Sequence, residues 1–226
     1  MMESKLQNLK EAIHAYHLHV SNMLQKSILG IVNKDRKLLE EVIAKDEPFA
    51  NEKELQVDEL CIDFIALYAP RGRTLRTVIM IMKMNNDFER ICDQCVNISE
   101  CGLRLTEIPG SALPASLIEM VEYTTIMLKD AFNSFHHDDS ALAKDILKRD
   151  EIVDNLHHNN VRMLAEECTE RDLSTEAAID LLIISSNLER IADLSTNIAE
   201  DVIYIVEGKT YKHGHYKNDL GSLNLD

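Results

Sequence analysis

A chain of 226 residues can bury a substantial core, as one large domain or as two small ones. Its formal charge of −15, from 39 acids against 24 Lys and Arg, excludes a general binder of nucleic acid or anionic lipid, since both require basic surface. Seven Gly, four Pro and no Trp, with abundant Leu, Ile, Ala, Glu and Met, suit long helices and few turns.

Hydrophobic periodicity and stop signals predict six helices. The first spans Ser4 to Val32 and stops at Asn33-Lys34. The second starts at the N-cap Asp35 and runs to Ala69-Pro70, with a kink near Asp46 to Pro48, because proline has no amide hydrogen to donate. The third spans Thr74 to Glu107 and stops before Pro109-Gly110. After the connector IPGSALP, Pro114 opens a fourth helix that ends at Phe135. Asp139 or Ser140 caps the fifth, which ends near Glu170, and Ser174 caps the sixth, which ends at Glu207 before Gly208. A polar tail, 209–226, is expected to fray.

Asn85 to Glu100 (NNDFERICDQCVNISE) reappears one hundred residues later as Ser185 to Glu200 (SSNLERIADLSTNIAE). The identical pairs are Glu89/Glu189, Arg90/Arg190, Ile91/Ile191, Asp93/Asp193, Asn97/Asn197, Ile98/Ile198 and Glu100/Glu200. Unrelated segments of this length share about one residue. The chain is thus an internal duplication, predicting an all-α fold with two antiparallel three-helix bundles related by a pseudo-twofold: residues 1–108 and residues 114–208.

Most of what the duplication kept is polar. Glu89, Asp93, Asn97 and Glu100 stand at i, i+4, i+8 and i+11, one face of a helix, as do Glu189, Asp193, Asn197 and Glu200. Like charges one turn apart cost a few tenths of a kcal/mol. Arg90 and Arg190 point about 100° away from the neighbouring acids. A multivalent cation held by oxygen ligands (Fe, Zn, Mn or Mg) is the other way to neutralise the stripe. Asp150 and Asp154, also one turn apart, offer a second pair from the fifth helix, continued by His158. In the first half the corresponding place falls near Asp46 and Glu47, with Asn51 one turn after Glu47 and with Glu54 and Asp58 continuing that stripe.

These residues resemble the PhoU family of phosphate-transport regulators. The likeness is carried by E-R-I-x-D-x-x-x-N-I after an apolar helix, present twice, by ALYAP (Ala66 to Pro70) followed by Leu75-Arg76, by Asp150-x-x-x-Asp154, and by Val202-Ile203-Tyr204 with Glu207-Gly208. The resemblance implies a flat, pseudo-symmetric, commonly dimeric molecule with metal clusters on faces lined by E/D-x-x-x-D motifs. Those motifs are Glu89/Asp93, Glu189/Asp193, Asp150/Asp154 and, with Asn in place of a carboxylate, Glu47/Asn51. It further implies a negative regulator in the cytoplasm, linking the ATPase of a phosphate ABC transporter to a membrane sensor histidine kinase.

Five cysteines without framework spacing (Cys61, Cys92, Cys95, Cys101, Cys168) point to reduced thiols. The N-terminus lacks a signal-peptide pattern, and no apolar run approaches the ~20 residues of a membrane span, so a soluble cytoplasmic protein is expected. Cys92-x-x-Cys95 lies mid-helix, and its repeat counterparts are Ala192 and Ser195, so it reads as small-residue packing. Glu11-x-x-His14 is the one E-x-x-H, whereas a di-iron site of ferritin type needs two. No nucleophile with a base and no phosphate loop is visible, so no enzyme is expected. The alternatives are an acidic helical adaptor that works without metal and a carboxylate-bridged metalloenzyme.

Overall fold

The computed structural model describes residues 1–109, 111–170, 173–209, 211–212 and 215–216. Its helices are α1 (Met2–Val32), α2 (Arg36–Glu41), α3 (Glu47–Tyr68), α4 (Gly72–Glu107), α5 (Ala115–His136), α6 (Ser140–Glu170) and α7 (Thr175–Glu207). Two-residue strands β1 (Tyr211–Lys212) and β2 (His215–Tyr216) pair antiparallel. Most of the expected frayed tail lies outside the described residues.

The predicted caps form. The Leu38 amide donates to Asp35 Oδ1 at 3.2 Å, the Ala141 and Leu142 amides to Asp139 Oδ1 at 3.0 and 2.9 Å, and the Ala177 amide to Ser174 Oγ at 3.2 Å. Gly208, at φ +70°, closes α7 in the left-handed conformation that glycine adopts without a Cβ penalty. Ser111 Oγ donates to the Leu105 and Ile108 carbonyls, tying off α4 at the connector.

The expected kink is a π turn over Val42–Asp46, which divides the predicted second helix into α2 and α3. Pro48 then falls in the first turn of α3, where a missing amide hydrogen costs little. The turn is held against α1 by two side chains of that helix. Lys26 Nζ bridges Glu41 and Asp46 at 2.9 Å each, and His19 Nε2 hydrogen-bonds the Asp46 carbonyl at 2.8 Å. Leu39 of α2 seats against Gly30 of α1 and Gly102 of α4; a Cβ on Gly102 would stand 2.6 Å from Ile31 Cγ1 and 3.1 Å from Leu39 Cδ1.

The two helices that carry the duplicated motif, α4 and α7, form the centre. Lys83–Asp201, Asn97–Asn187 and Arg104–Asp180 pair across them at 2.6, 3.3 and 2.7 Å. Equal steps forward along α4 match equal steps back along α7, so the pair is antiparallel in one unbroken register. Helices α1 and α3 complete the first half around α4; α5 and α6 complete the second around α7. One hydrophobic cluster runs through both halves, including Tyr16, Phe88, Ile91, Phe132, Leu188 and Ile191. His17 stacks on Phe132 at 4.2 Å between α1 and α5, bridging the halves. No helix among the described residues is long and apolar enough to cross a membrane.

Candidate metal centre

In the second half, Ala177, Leu181, Ile184, Leu188, Ile191, Ala192, Leu194, Ser195 and Ile198 anchor α7 in the core, and Val153 does the same for α6. That packing leaves Glu189 partly buried and Asp193 exposed on the α6 side of α7, facing Asp150 and Asp154. The four carboxylates share one electrostatic environment. The Asp150 carboxyl is pushed up to about 7 by burial, then by the charges of Asp154, Asp193 and Glu189. Burial, Glu189 and Asp154 likewise raise Asp193. Asp150 Oδ1 is buried without a hydrogen-bond partner among the described residues. His158, expected to continue the α6 stripe, is exposed, while His157 turns inward and its Nδ1 lies 2.9 Å from Ser185 Oγ.

The first half builds the same group from different positions. Glu54 is raised by burial and by Asp58 and Asp93, and Glu89 by burial and by Asp93 and Glu54. The facing pair is therefore Glu54 and Asp58, not Glu47 and Asn51. Those two lie one heptad earlier, roughly 10 Å along the axis, Glu47 partly buried in the first turn of α3 and Asn51 exposed. The buried residues Val57 and Val153 show the equivalence: both helices match at an offset of 96, which carries Glu54 to Asp150 and Asp58 to Asp154. The same offset carries Glu47 and Asn51 to Ala143 and Leu147. A signal was present, since Glu54-x-x-x-Asp58 has the spacing of the other pairs. Asn85, the repeat counterpart of Ser185, donates from Nδ2 to the Glu54 carbonyl at 2.8 Å and to Asp58 Oδ1 at 2.9 Å, locking α3 to α4 beside the cluster.

Among the described residues, none of these eight acids forms an ion pair; Arg90 pairs instead with Asp87 at 3.5 Å, and Arg149 with Asp130 and Asp145. The other members of the sequence stripe do separate work. Asn97 serves the α4–α7 contact through Asn187, and Glu100 is exposed beyond it. Among the described residues no three His, Cys, Asp or Glu side chains converge as a closed ligand shell. The donor set nonetheless fits a hard cation: each cluster is all carboxylate, drawn from two packed helices, and one holds a buried oxygen with no partner. Cys61, Cys92, Cys95 and Cys101 are buried, and burial raises each thiol, so none offers a thiolate.

A family described as the PhoU domain matches residues 6–102 and 117–202, one segment in each half. The phosphate-specific transport system accessory protein PhoU homolog 1 of Thermotoga maritima is 32% identical over 99% of this chain and 97% of its own length. The phosphate-specific transport system accessory protein PhoU of Escherichia coli K12 is 28% identical over 93% of this chain and 87% of its own. The crystal structure of PhoU from Pseudomonas aeruginosa superposes with a TM-score of 0.86 at 26% identity, covering 92% of this chain and all of that one. With both halves matched, and with relatives similar from end to end, the chain belongs to the PhoU family.

Proposed function

We propose that this chain is a non-enzymatic regulator of phosphate uptake whose two carboxylate clusters take up metal ions. Membership of the PhoU family supports the physiological role, and the names of its relatives place them as accessory proteins of phosphate-specific transport. In this reading the protein works in the cytoplasm as a homodimer. It couples the ATPase of a phosphate ABC transporter to a membrane sensor histidine kinase, and it restrains phosphate-starvation signalling.

The observation that carries the metal reading is the duplicated group of four carboxylates, one group per half, without an ion pair among the described residues. Glu189, Asp193, Asp150 and Asp154 would hold one ion or cluster; Glu89, Asp93, Glu54 and Asp58 would hold the other. Oxygen-only donors favour Fe, Mn or Mg over Zn, which prefers imidazole and thiolate. The ion would supply positive charge between α6 and α7, and between α3 and α4, where the carboxylates of the two helices otherwise repel one another. The metal content of purified protein, read by plasma mass spectrometry beside Glu189→Ala/Asp193→Ala, tests this. Stoichiometric metal that the variant loses supports the reading. Wild-type protein that stays empty after soaking in Fe, Mn and Mg overturns it and leaves an acidic adaptor that works without metal.

A further inference from the structure

The ladder of polar side chains between α6 and α7 does not end at Asp154 and Glu189. His157 follows Asp154 by three residues and Ser185 precedes Glu189 by four, so the two meet one turn further along the same face. His157 Nδ1 lies 2.9 Å from Ser185 Oγ. At 100° per residue, Asp150, Asp154 and His157 stand within about 60° of one another on α6. His157 is half-buried there, whereas His158 points about 100° away and is exposed.

A buried network fixes the imidazole and its tautomer. Ser185 and Asn160 are fully buried. Asn160 Nδ2 donates to Ser185 Oγ at 3.4 Å, and Ser185 Oγ in turn donates to Met120 Sδ at 3.4 Å. Ser116 Oγ donates to Asn160 Oδ1 at 2.5 Å, which sets the orientation of that amide. With its own hydrogen directed at Met120, Ser185 accepts from the imidazole, and this assigns the ring proton to Nδ1. Nε2 then keeps its lone pair, with no hydrogen-bond partner among the described residues. A histidine that donates from one ring nitrogen to a fixed acceptor and presents the other free is arranged as metal-binding histidines are.

The first half has no equivalent. The offset of 96 carries His157 to Cys61 and Asn160 to Phe64, both buried, and the repeat counterpart of Ser185 is Asn85. Burial raises the Cys61 thiol, and Asn85 commits its amide to the Glu54 carbonyl and to Asp58 Oδ1. Four carboxylates stand alone in the first half, while in the second an imidazole nitrogen stands beside them.

We propose that His157 Nε2 is a further ligand of the second-half metal site and makes the two sites unequal in the ions they prefer. The first half, with oxygen donors alone, suits Mn and Mg; the second, with a nitrogen donor, shifts towards Zn and Fe(II). Ser185 is the positioning residue that aims the ring. This inference rests on the metal reading above and adds to it a ligand and a selectivity.

The test uses the full chain carrying Glu89→Ala/Asp93→Ala, which leaves the second site alone. Titration calorimetry with Mn and with Zn gives the ratio of the two dissociation constants. His157→Gln should reduce the preference for Zn by about tenfold or more, Ser185→Ala should reduce it by less, and His158→Gln should leave it unchanged. The reciprocal background, Glu189→Ala/Asp193→Ala, should show the weaker preference from the start. Long-range proton–nitrogen NMR of the wild-type histidine rings should find His157 protonated at Nδ1 and should show its Nε2 resonance move when Zn is added. A His157 ring that Zn leaves unmoved, or a Mn-to-Zn ratio that His157→Gln does not change, would overturn the proposal while the metal reading stands. Protein that binds neither ion would overturn both, so the two failures are distinguishable.

Discussion

Helix α6 runs unbroken from Ser140 to Glu170, whereas its first-half counterpart is divided into α2, a π turn and α3. The equivalences around that break show what happened. Lys34 and Asp138, both in the left-handed conformation before the caps Asp35 and Asp139, match at an offset of 104; Val57 and Val153 match at 96. Between those points the first half is therefore longer by eight residues; two further helical turns take up most of that surplus, and the π turn takes up only about one residue of it. Each half nevertheless brings four carboxylates to the face between its second and third long helices. Chain length, the outer surface of the second helix and the polar group beside the cluster (Asn85 or Ser185) all diverged, while the acids stayed together. An exposed acid that serves only solubility has no reason to keep its neighbours across an insertion.

Saturation with Mn or Mg gives the largest expected separation between the halves. An ion at 100 times its Kd adds about 2.7 kcal/mol to stability. Glu189→Ala/Asp193→Ala and Glu89→Ala/Asp93→Ala should each remove the share of their own half from the metal-induced rise in Tm, and the quadruple variant should remove all of it. Calorimetry showing that one double variant abolishes the whole response would mean that a single half binds.

Next in size is the wedge that exists in the first half alone. Gly102 corresponds to the buried Val202 of α7, yet a Cβ on Gly102 meets Ile31 and Leu39. Gly102→Val should cost about 1–3 kcal/mol by overpacking. Adding Leu39→Ala should recover part of that loss, so that denaturant melts show the pair costing less than the sum of the single variants.

A smaller effect concerns pH in metal-free protein. Asp150 has a folded pKa near 7 against an ordinary value of 3.8, so the folded state binds the extra proton. The resulting destabilisation is nearly absent at pH 4, grows as pH rises towards about 7 and is constant above that. Asp150→Asn should therefore raise Tm at pH 8, by a few degrees at most, and leave it unchanged at pH 4. Glu54→Gln should act in the same direction in the first half. His17 runs the other way: burial and then His14 depress it to about 4, so its contribution is intact above pH 6.5 and is lost as pH falls towards 4. The smallest effect is expected of Leu55→Glu/Ile62→His, within about 0.5 kcal/mol of wild type in a thermal melt, since those side chains are exposed.

Periodicity, caps and the repeated E-R-I-x-D-x-x-x-N-I segment were enough to read an all-helical duplication, the helix ends at Asp35, Ser174 and Gly208, and six of the clustered acids: Glu89, Asp93, Glu189, Asp193, Asp150 and Asp154. These are local properties, carried by hydrogen bonds and spacings within one helix. Which residues face one another across helices is different in kind. The first-half partner is Glu54 and Asp58 rather than the expected Glu47 and Asn51, because the first half carries extra residues ahead of Val57, a length that no local pattern around Pro48 states. Only packing settles it, because Val57 and Cys61 must enter the core and thereby turn Glu54 and Asp58 towards Glu89 and Asp93. The exposure of Leu55 and Ile62 has the same origin: Val57, Cys61 and Phe64 already fill the contact with α1 and α4.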